Sequence, residues 1–99
     1  MKTLITGGFG YIGSSIANNL NQKNYKISIC SRYKKKLNEW TKKINVQNIE
    51  WQNNINLENL CHRHDVVIHT AGMNSFDCFN SPKDAIKCNQ LNTKKLTLA

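Results

Sequence analysis

Acidic side chains are scarce in this sequence. Six Asp and Glu stand against 14 Lys and Arg, so the formal net charge is +8. A balance this basic suits an anionic partner, such as a nucleotide phosphate or nucleic acid, and says nothing of fold. Apolar residues are also few, at 39%, while asparagine is frequent, which predicts a modest core. The cysteines Cys30, Cys61, Cys78 and Cys88 form no C-x-x-C pair. The apolar run after Lys2 is cut by Gly7 and Gly8 before it reaches the length of a signal core. No disulfide framework and no membrane span are therefore expected, and the chain reads as soluble and cytoplasmic. No repeat, linker or low-complexity boundary divides the 99 residues, which make one domain at most.

Glycine is where the sequence becomes specific. Lys2-Thr3-Leu4-Ile5-Thr6 is short, β-branched and apolar enough for a buried strand. Tyr11 to Lys23 places Ile12, Ile16, Ala17 and Leu20 at helical spacing. Between them, Gly7, Gly10 and Gly13 fall at a strand-to-helix turn. A chain that must reverse sharply and let a ligand come close needs residues without Cβ. The following helix aims free N–H groups and the positive end of its dipole at the loop, which suits a pyrophosphate. The spacing, G-x-x-G-x-x-G, is one residue wider than the dinucleotide fingerprint.

Tyr25 to Ser31 alternates as a second strand, with Ile27 and Ile29 on one face. At its tip an acidic residue would hold the adenosine ribose, whereas arginine accommodates a 2′-phosphate. Here Ser31-Arg32 stands, with no Asp or Glu until Glu39 and with Lys34, Lys35 and Lys36 adding positive potential. A guanidinium clamps phosphate bidentately, so NADP is expected, with NAD as the alternative. Leu37 to Ile44 reads as a second helix and Val46 to Gln52 as a third strand, with Ile49 and Trp51 facing one way. Asn56 is the expected cap of a short helix from Leu57 to Cys61. Cys61-His62-Arg63-His64 has ligand chemistry but no second cluster to complete a metal site, so no metal is expected. Val66-Val67-Ile68 is the continuous apolar run of a parallel strand covered on both faces. Met73 to Phe79 reads as a loop. Pro82 then opens a helix running to Leu96, with Ser81 as N-cap and Asp84 near its positive end.

Thr6-Gly7-Gly8-Phe9-Gly10-Tyr11-Ile12-Gly13 resembles the opening of the extended short-chain dehydrogenase/reductase family, the NAD-dependent epimerase/dehydratase group acting on nucleotide sugars. Asp65-Val66-Val67-Ile68-His69-Thr70-Ala71-Gly72 is similar to the same family's fourth-strand segment. The resemblance covers nearly the whole chain but only the first part of the family's pattern. It implies an α/β fold: a Rossmann-like open parallel sheet of four strands in the order 3-2-1-4, with helices on both faces, truncated. It implies cofactor contacts at Gly7, Gly10, Tyr11, Ile12 and Gly13. It also places Asn54 and Ile55 near adenine, with Asn54 where the family has Asp. Thr70, Ala71 and Gly72 would lie beside the nicotinamide-side ribose and diphosphate, and His69 would support the strand end without acting as a base. Asn74 and Ser75 would face substrate. Asn89 matches the asparagine of the family's N-V-x-G-T helix, while Gln90 and Asn92 replace Val and Gly.

The family's proton donor is the tyrosine of Y-x-x-x-K, whose lysine lowers its pKa for acid–base work on a sugar. Four residues beyond Tyr11, Tyr25 and Tyr33 stand Ser15, Ile29 and Leu37, so the pair is missing. Residues 1–99 are thus expected to be the NAD(P)-binding N-terminal portion of an epimerase, dehydratase or reductase acting on a nucleotide-linked sugar, without the catalytic Tyr/Lys segment or the substrate lobe. The alternative is a catalytically inactive dinucleotide-binding sensor or regulator. A nucleic-acid module is not expected, because the lysine run has only Trp40 nearby and no interleaved aromatic platform. The apolar strand Val66–Ile68 would lack an outer neighbour, which predicts self-association through the open sheet margin.

Overall fold

The computed structural model describes residues 1–31, 44–72 and 75–99. Strand β1 (Lys2–Thr6) lies inside the sheet, with β2 (Lys26–Ser31) on one side and β4 (Val66–His69) on the other. Strand β3 (Asn45–Asn48) pairs with β2, all pairs are parallel, and the order is β3-β2-β1-β4, as the sequence predicts. Thr3, Leu4, Ile5 and Thr6 are all buried, because helices cover both faces and neither side of β1 meets water.

Successive side chains of a strand point to opposite faces, and each face builds its own core. Leu4 packs with Cys30, Ile49, Trp51, Leu57, Leu60 and Leu96. Ile5 packs with Ala17, Ile27, Ile29 and Ile44. Helix α1 (Tyr11–Gln22) covers the Ile5 face through Ala17, with Ile16 and Leu20 beside it. Helix α2 (Asn54–His62) covers the Leu4 face through Leu57 and Leu60. Both leucines are about 1% exposed, and truncating either to alanine should cost about 2–5 kcal/mol. After α1 the chain turns at Asn24, at φ 64, a left-handed conformation that asparagine tolerates better than most side chains.

Several boundaries differ from the sequence reading. The third strand ends at Asn48, yet Ile49 and Trp51 are buried at 4% and 6% exposure. Their alternation reflects insertion into the Leu4 core after the chain has left the ladder. Helix α2 begins three residues earlier than expected, and its cap is Asn53, whose side chain accepts from the Asn56 amide at 3.1 Å. Asn56 instead accepts from the Glu50 amide at 2.9 Å and ties the helix back to the preceding turn. The expected loop at Met73–Phe79 is in fact helical from Ser75: α3 spans Ser75–Asn80, with Asp77 in its first turn near the positive dipole end.

The single helix expected after Pro82 is three pieces. These are α4 (Pro82–Ile86), a π-helical turn (Lys87–Leu91) and α5 (Asn92–Leu98). Ser81 occupies the N-cap position, but its hydroxyl donates to the Asp84 carboxylate at 2.7 Å and caps no backbone N–H. Of the expected helix Leu37–Ile44, residues 37–43 lie outside the described residues; Ile44 is buried. Among the described residues, no helix is long and apolar enough to cross a membrane.

Candidate functional site

Parallel pairing sets Thr6 beside Cys30 on one side and His69 on the other. The turn after β1, the tip of β2 and the segment after β4 therefore meet at the C-terminal end of the sheet, where open parallel sheets bind ligands. Gly7 has φ +67, and a Cβ there would sit 2.8 Å from the Ala71 amide nitrogen. Only glycine meets both demands. Gly13, buried in the first turn of α1, faces the Gly7 carbonyl and the Thr70 hydroxyl so closely that a Cβ would collide with both. Gly10 is exposed and is the N-cap of α1. A Cβ there would meet only the Gly7 oxygen, at 3.2 Å. Its amide donates to that same oxygen at 2.9 Å and closes the turn.

Tyr11, Ile12 and Gly13 form the first turn of α1, whose N–H groups have no intrahelical acceptor. Tyr11 and Ile12 are 89% and 63% exposed, so this end of the helix is open to a ligand. A compact anion such as a pyrophosphate fits these donors and the positive dipole end. Gly8, which lies outside the G-x-x-G-x-x-G spacing, is buried, and a Cβ there would run into the Ile29 side chain of β2. It sets how closely the loop lies on the sheet.

Thr6, absent from the sequence-derived site, is the hub of the strand ends. Its hydroxyl oxygen accepts from the amides of Thr70 at 3.0 Å and Ala71 at 3.2 Å. It also lies 2.6 Å from His69 Nδ1. The Thr70 hydroxyl in turn donates to the Thr6 carbonyl. His69 Nε2 lies 2.9 Å from the Thr93 hydroxyl, and the ring meets Trp51 edge-on with centroids 5.8 Å apart. Thr70 and Ala71 thus turn their amides inward, toward β1. What they offer a ligand is their small size. Burial holds the His69 pKa below the ordinary histidine value, which keeps the ring neutral near neutral pH. Thr93 was also missed; its partner lies 24 residues away in the chain, beyond any local pattern.

The remaining predicted residues divide. Ser31 ends β2 at the C-terminal end of the sheet, and Arg32 lies outside the described residues. Asn54 and Ile55 are exposed in the first turn of α2. They border an open cavity of about 730 Å³ that Trp51 and Asn53 also line. Gly72 and Asn89 come together: a Cβ on Gly72 would lie 3.1 Å from Asn89 Oδ1. Asn89 Nδ2 donates to Cys78 Sγ at 3.3 Å, which links the π-helical turn to α3. Ser75 opens α3, and Asn74 lies outside the described residues.

A larger cavity, about 1120 Å³, opens at the opposite end of the sheet, among Lys2, Tyr25, Lys26, Arg63 and Asp65. It lies where the strands begin, away from the glycine turn. No group of three or more potential metal ligands forms among the described residues. Burial pushes the Cys30 thiol up to about 12, with Cys61 adding to the shift, and burial also raises Cys61. Both are poor nucleophiles.

A family model described as "NAD dependent epimerase/dehydratase family" matches residues 3–99. The fold is similar to that of L-threonine dehydrogenase from Clostridium difficile. The TM-score is 0.84 at 22% identity, covering 95% of this chain and 31% of that one. It is similar too to UDP-glucose 4-epimerase from Thermotoga maritima, at TM-score 0.81 and 22% identity, covering 97% of this chain and 32% of that one. The Thermus thermophilus UDP-glucose 4-epimerase, solved in complex with NAD, gives 0.80 and 22%, over 97% of this chain and 32% of the other. This chain spans about a third of the length of these structures. No curated protein matches it in sequence.

Proposed function

We propose that this chain, which belongs to the NAD dependent epimerase/dehydratase family, is the dinucleotide-binding portion of an enzyme that epimerises, dehydrates or reduces a nucleotide-linked sugar. One observation carries the reading: Gly7, closed onto Ala71 at φ +67, leaves the first turn of α1 facing out at the C-terminal end of the sheet. In this reading the amides of Tyr11, Ile12 and Gly13 hold the pyrophosphate. Asn54 and Ile55 border the adenine, and Ala71, Gly72 and Asn89 flank the nicotinamide side. The bound nicotinamide would supply hydride transfer; this portion of the protein binds and orients it. The UDP-glucose named for similar structures supports a nucleotide sugar as substrate, with Asn74 and Ser75 toward it.

Arg32, with no carboxylate near the tip of β2 in the sequence, favours NADP over NAD. Calorimetric titration of the chain with both dinucleotides tests it. The parent should bind NADP more tightly than NAD, and Arg32→Asp should reverse that order. Gly10→Val should keep the fold and lose binding, because its side chain would enter the phosphate space; unchanged affinity in a folded Gly10→Val variant would sink the assignment.

Strand β4 has β1 on one side and forms a margin of the sheet. A bare margin invites pairing with another chain, and the charge of +8 opposing it is screened beyond about 8–10 Å at ordinary salt. The chain should therefore self-associate more as salt rises. A monodisperse monomer at high salt by light scattering would rule this out.

A further inference from the structure

We propose that Lys95 is a positioning residue: its ammonium, reaching from α5 to the Trp51 carbonyl, orients the turn that leads into α2. Strand β3 ends at Asn48, so the Trp51 carbonyl lies outside the ladder, and among the described residues no backbone amide donates to it. The Lys95 ammonium does, at 3.3 Å. A carbonyl left without a partner beside the core costs free energy, and a charged donor makes the stronger kind of hydrogen bond. Lys95 is placed for this by its helix. Asn92 and Leu96 are buried one turn apart on α5, Leu96 packs in the same core as Trp51, and the half-buried Lys95 flanks that face.

The other hydrogen bonds of the turn are local. The Asn53 amide donates to the Glu50 carbonyl at 3.0 Å, and the Asn53 side chain donates to the Glu50 carboxylate at 3.1 Å. The Glu50 amide donates to the Asn56 side chain at 2.9 Å. These bonds shape the turn but tie it to nothing beyond α2. Ile49 and Trp51 hold it to the body of the protein by burial in the Leu4 core, which sets its depth. Burial is non-directional and does not orient the peptide between Trp51 and Gln52. A hydrogen bond to the carbonyl of that peptide is directional and does. Trp51, Gln52, Asn53, Asn54 and Ile55 border the cavity of about 730 Å³. Where the inference extends to binding it rests on the cofactor reading, in which Asn54 and Ile55 border the adenine: Lys95 then holds the adenine side of the site, acting through the turn.

Lys95→Met keeps the stem and removes the donor. In the ligand-free chain it should move the Gln52 amide signal in proton–nitrogen spectra, since that amide shares its peptide group with the Trp51 carbonyl. It should also raise hydrogen exchange at the Asn53 and Asn56 amides about tenfold or more, with no change at Thr70 and Ala71. Lys95→Arg should restore the parent behaviour, and Lys94→Met, on the exposed neighbour, should leave it intact. Unchanged exchange at Asn53 and Asn56 in Lys95→Met, or an equal rise at Thr70 and Ala71, overturns the proposal. So does a Lys95→Arg variant that behaves like methionine, or a Lys94→Met variant that matches Lys95→Met. Calorimetry with NAD, NADP and ADP-ribose, which keeps the adenine and lacks the nicotinamide, tests the link to the site. Lys95→Met should weaken each ligand that the parent binds about fivefold or more. Unchanged dinucleotide affinity, or a loss that ADP-ribose escapes, overturns the link. A parent that shows the tether but binds no dinucleotide overturns the cofactor reading alone.

Discussion

The two ends of one sheet are built on opposite terms. At the N-terminal end lies an open cavity of about 1120 Å³, bordered by Lys2, Lys26, Arg63 and Asp65, all exposed. At the C-terminal end the backbone closes on itself: Gly7 against Ala71, Gly13 against Gly7 and Thr70, Gly72 against Asn89. The dinucleotide proposed above would sit at the second end. At the first end, long exposed side chains border an open space. A site that must meet a ligand backbone-first is made by removing side chains, and the removal shows as crowding between protein segments.

The sharpest way to break this contrast is to change one side chain at each end. Gly13→Val would drive a branched side chain into the Gly7 carbonyl and the Thr70 hydroxyl, and the Gly7 backbone cannot yield without opening the turn. It should cost about 3 kcal/mol or more in urea unfolding, at or beyond the upper end of ordinary overpacking. Lys26→Ala, at the other end, should stay within about 0.5 kcal/mol, as exposed substitutions usually do. Equal losses would mean that the closed turn carries no more of the stability than the open cleft.

The closed end was also the more legible of the two in sequence, and the reason is physical. Gly7, Gly10 and Gly13 are local punctuation between a buried strand and an amphipathic helix, so their role shows in a window of a dozen residues. The order of the strands came with the family resemblance that the same segment and Asp65–Gly72 carry. What stayed hidden was long-range. Thr6 and His69 are 63 residues apart, and no periodicity links a strand-end hydroxyl to an imidazole on another strand. Asn53, Asn54 and Asn56 are all competent caps, and only the fold decides that Asn53 takes the role. Ile49 and Trp51 alternate like a strand but are buried as core plugs after Asn48. The six-residue α3 is too short for an apolar period to announce it.

Acid should sharpen the contrast next, because His69 belongs to the closed end. Its two hydrogen-bond partners, Thr6 and Thr93, are uncharged, so burial decides the shift and lowers the pKa from 6.5. Between the lowered value and 6.5 the unfolded chain binds the proton more readily than the folded one, so stability rises with pH in that window. The contribution is complete above about pH 6.5 and is lost as pH falls through the folded value. Urea midpoints at pH 7.5, 6.5 and 5.5 should drop, and His69→Gln should flatten the drop. An undiminished slope in that variant would assign the acid sensitivity elsewhere.

The smallest effect is expected from emptying the basic cleft, and it separates charge from geometry most cleanly. Arg63 donates from Nε to the Asn59 carbonyl at 3.2 Å, and Asp65 accepts from the Lys2 amide at 2.8 Å; both bonds are exposed. Exposed pairs of this kind are worth about 0–1 kcal/mol. The five residues of β1 separate the two ends by about 16 Å, at roughly 3.3 Å per residue. That is about two Debye lengths at physiological salt, so the cationic side chains at the start of the sheet are largely invisible to an anion at its end. Lys26→Ala with Arg63→Ala should leave dinucleotide affinity within about twofold at 0.15 M salt. A weakening that grows as salt is lowered would show these charges steering the ligand from a distance. A tenfold loss at 0.15 M salt would instead move the site to the open end and reverse the reading of the two.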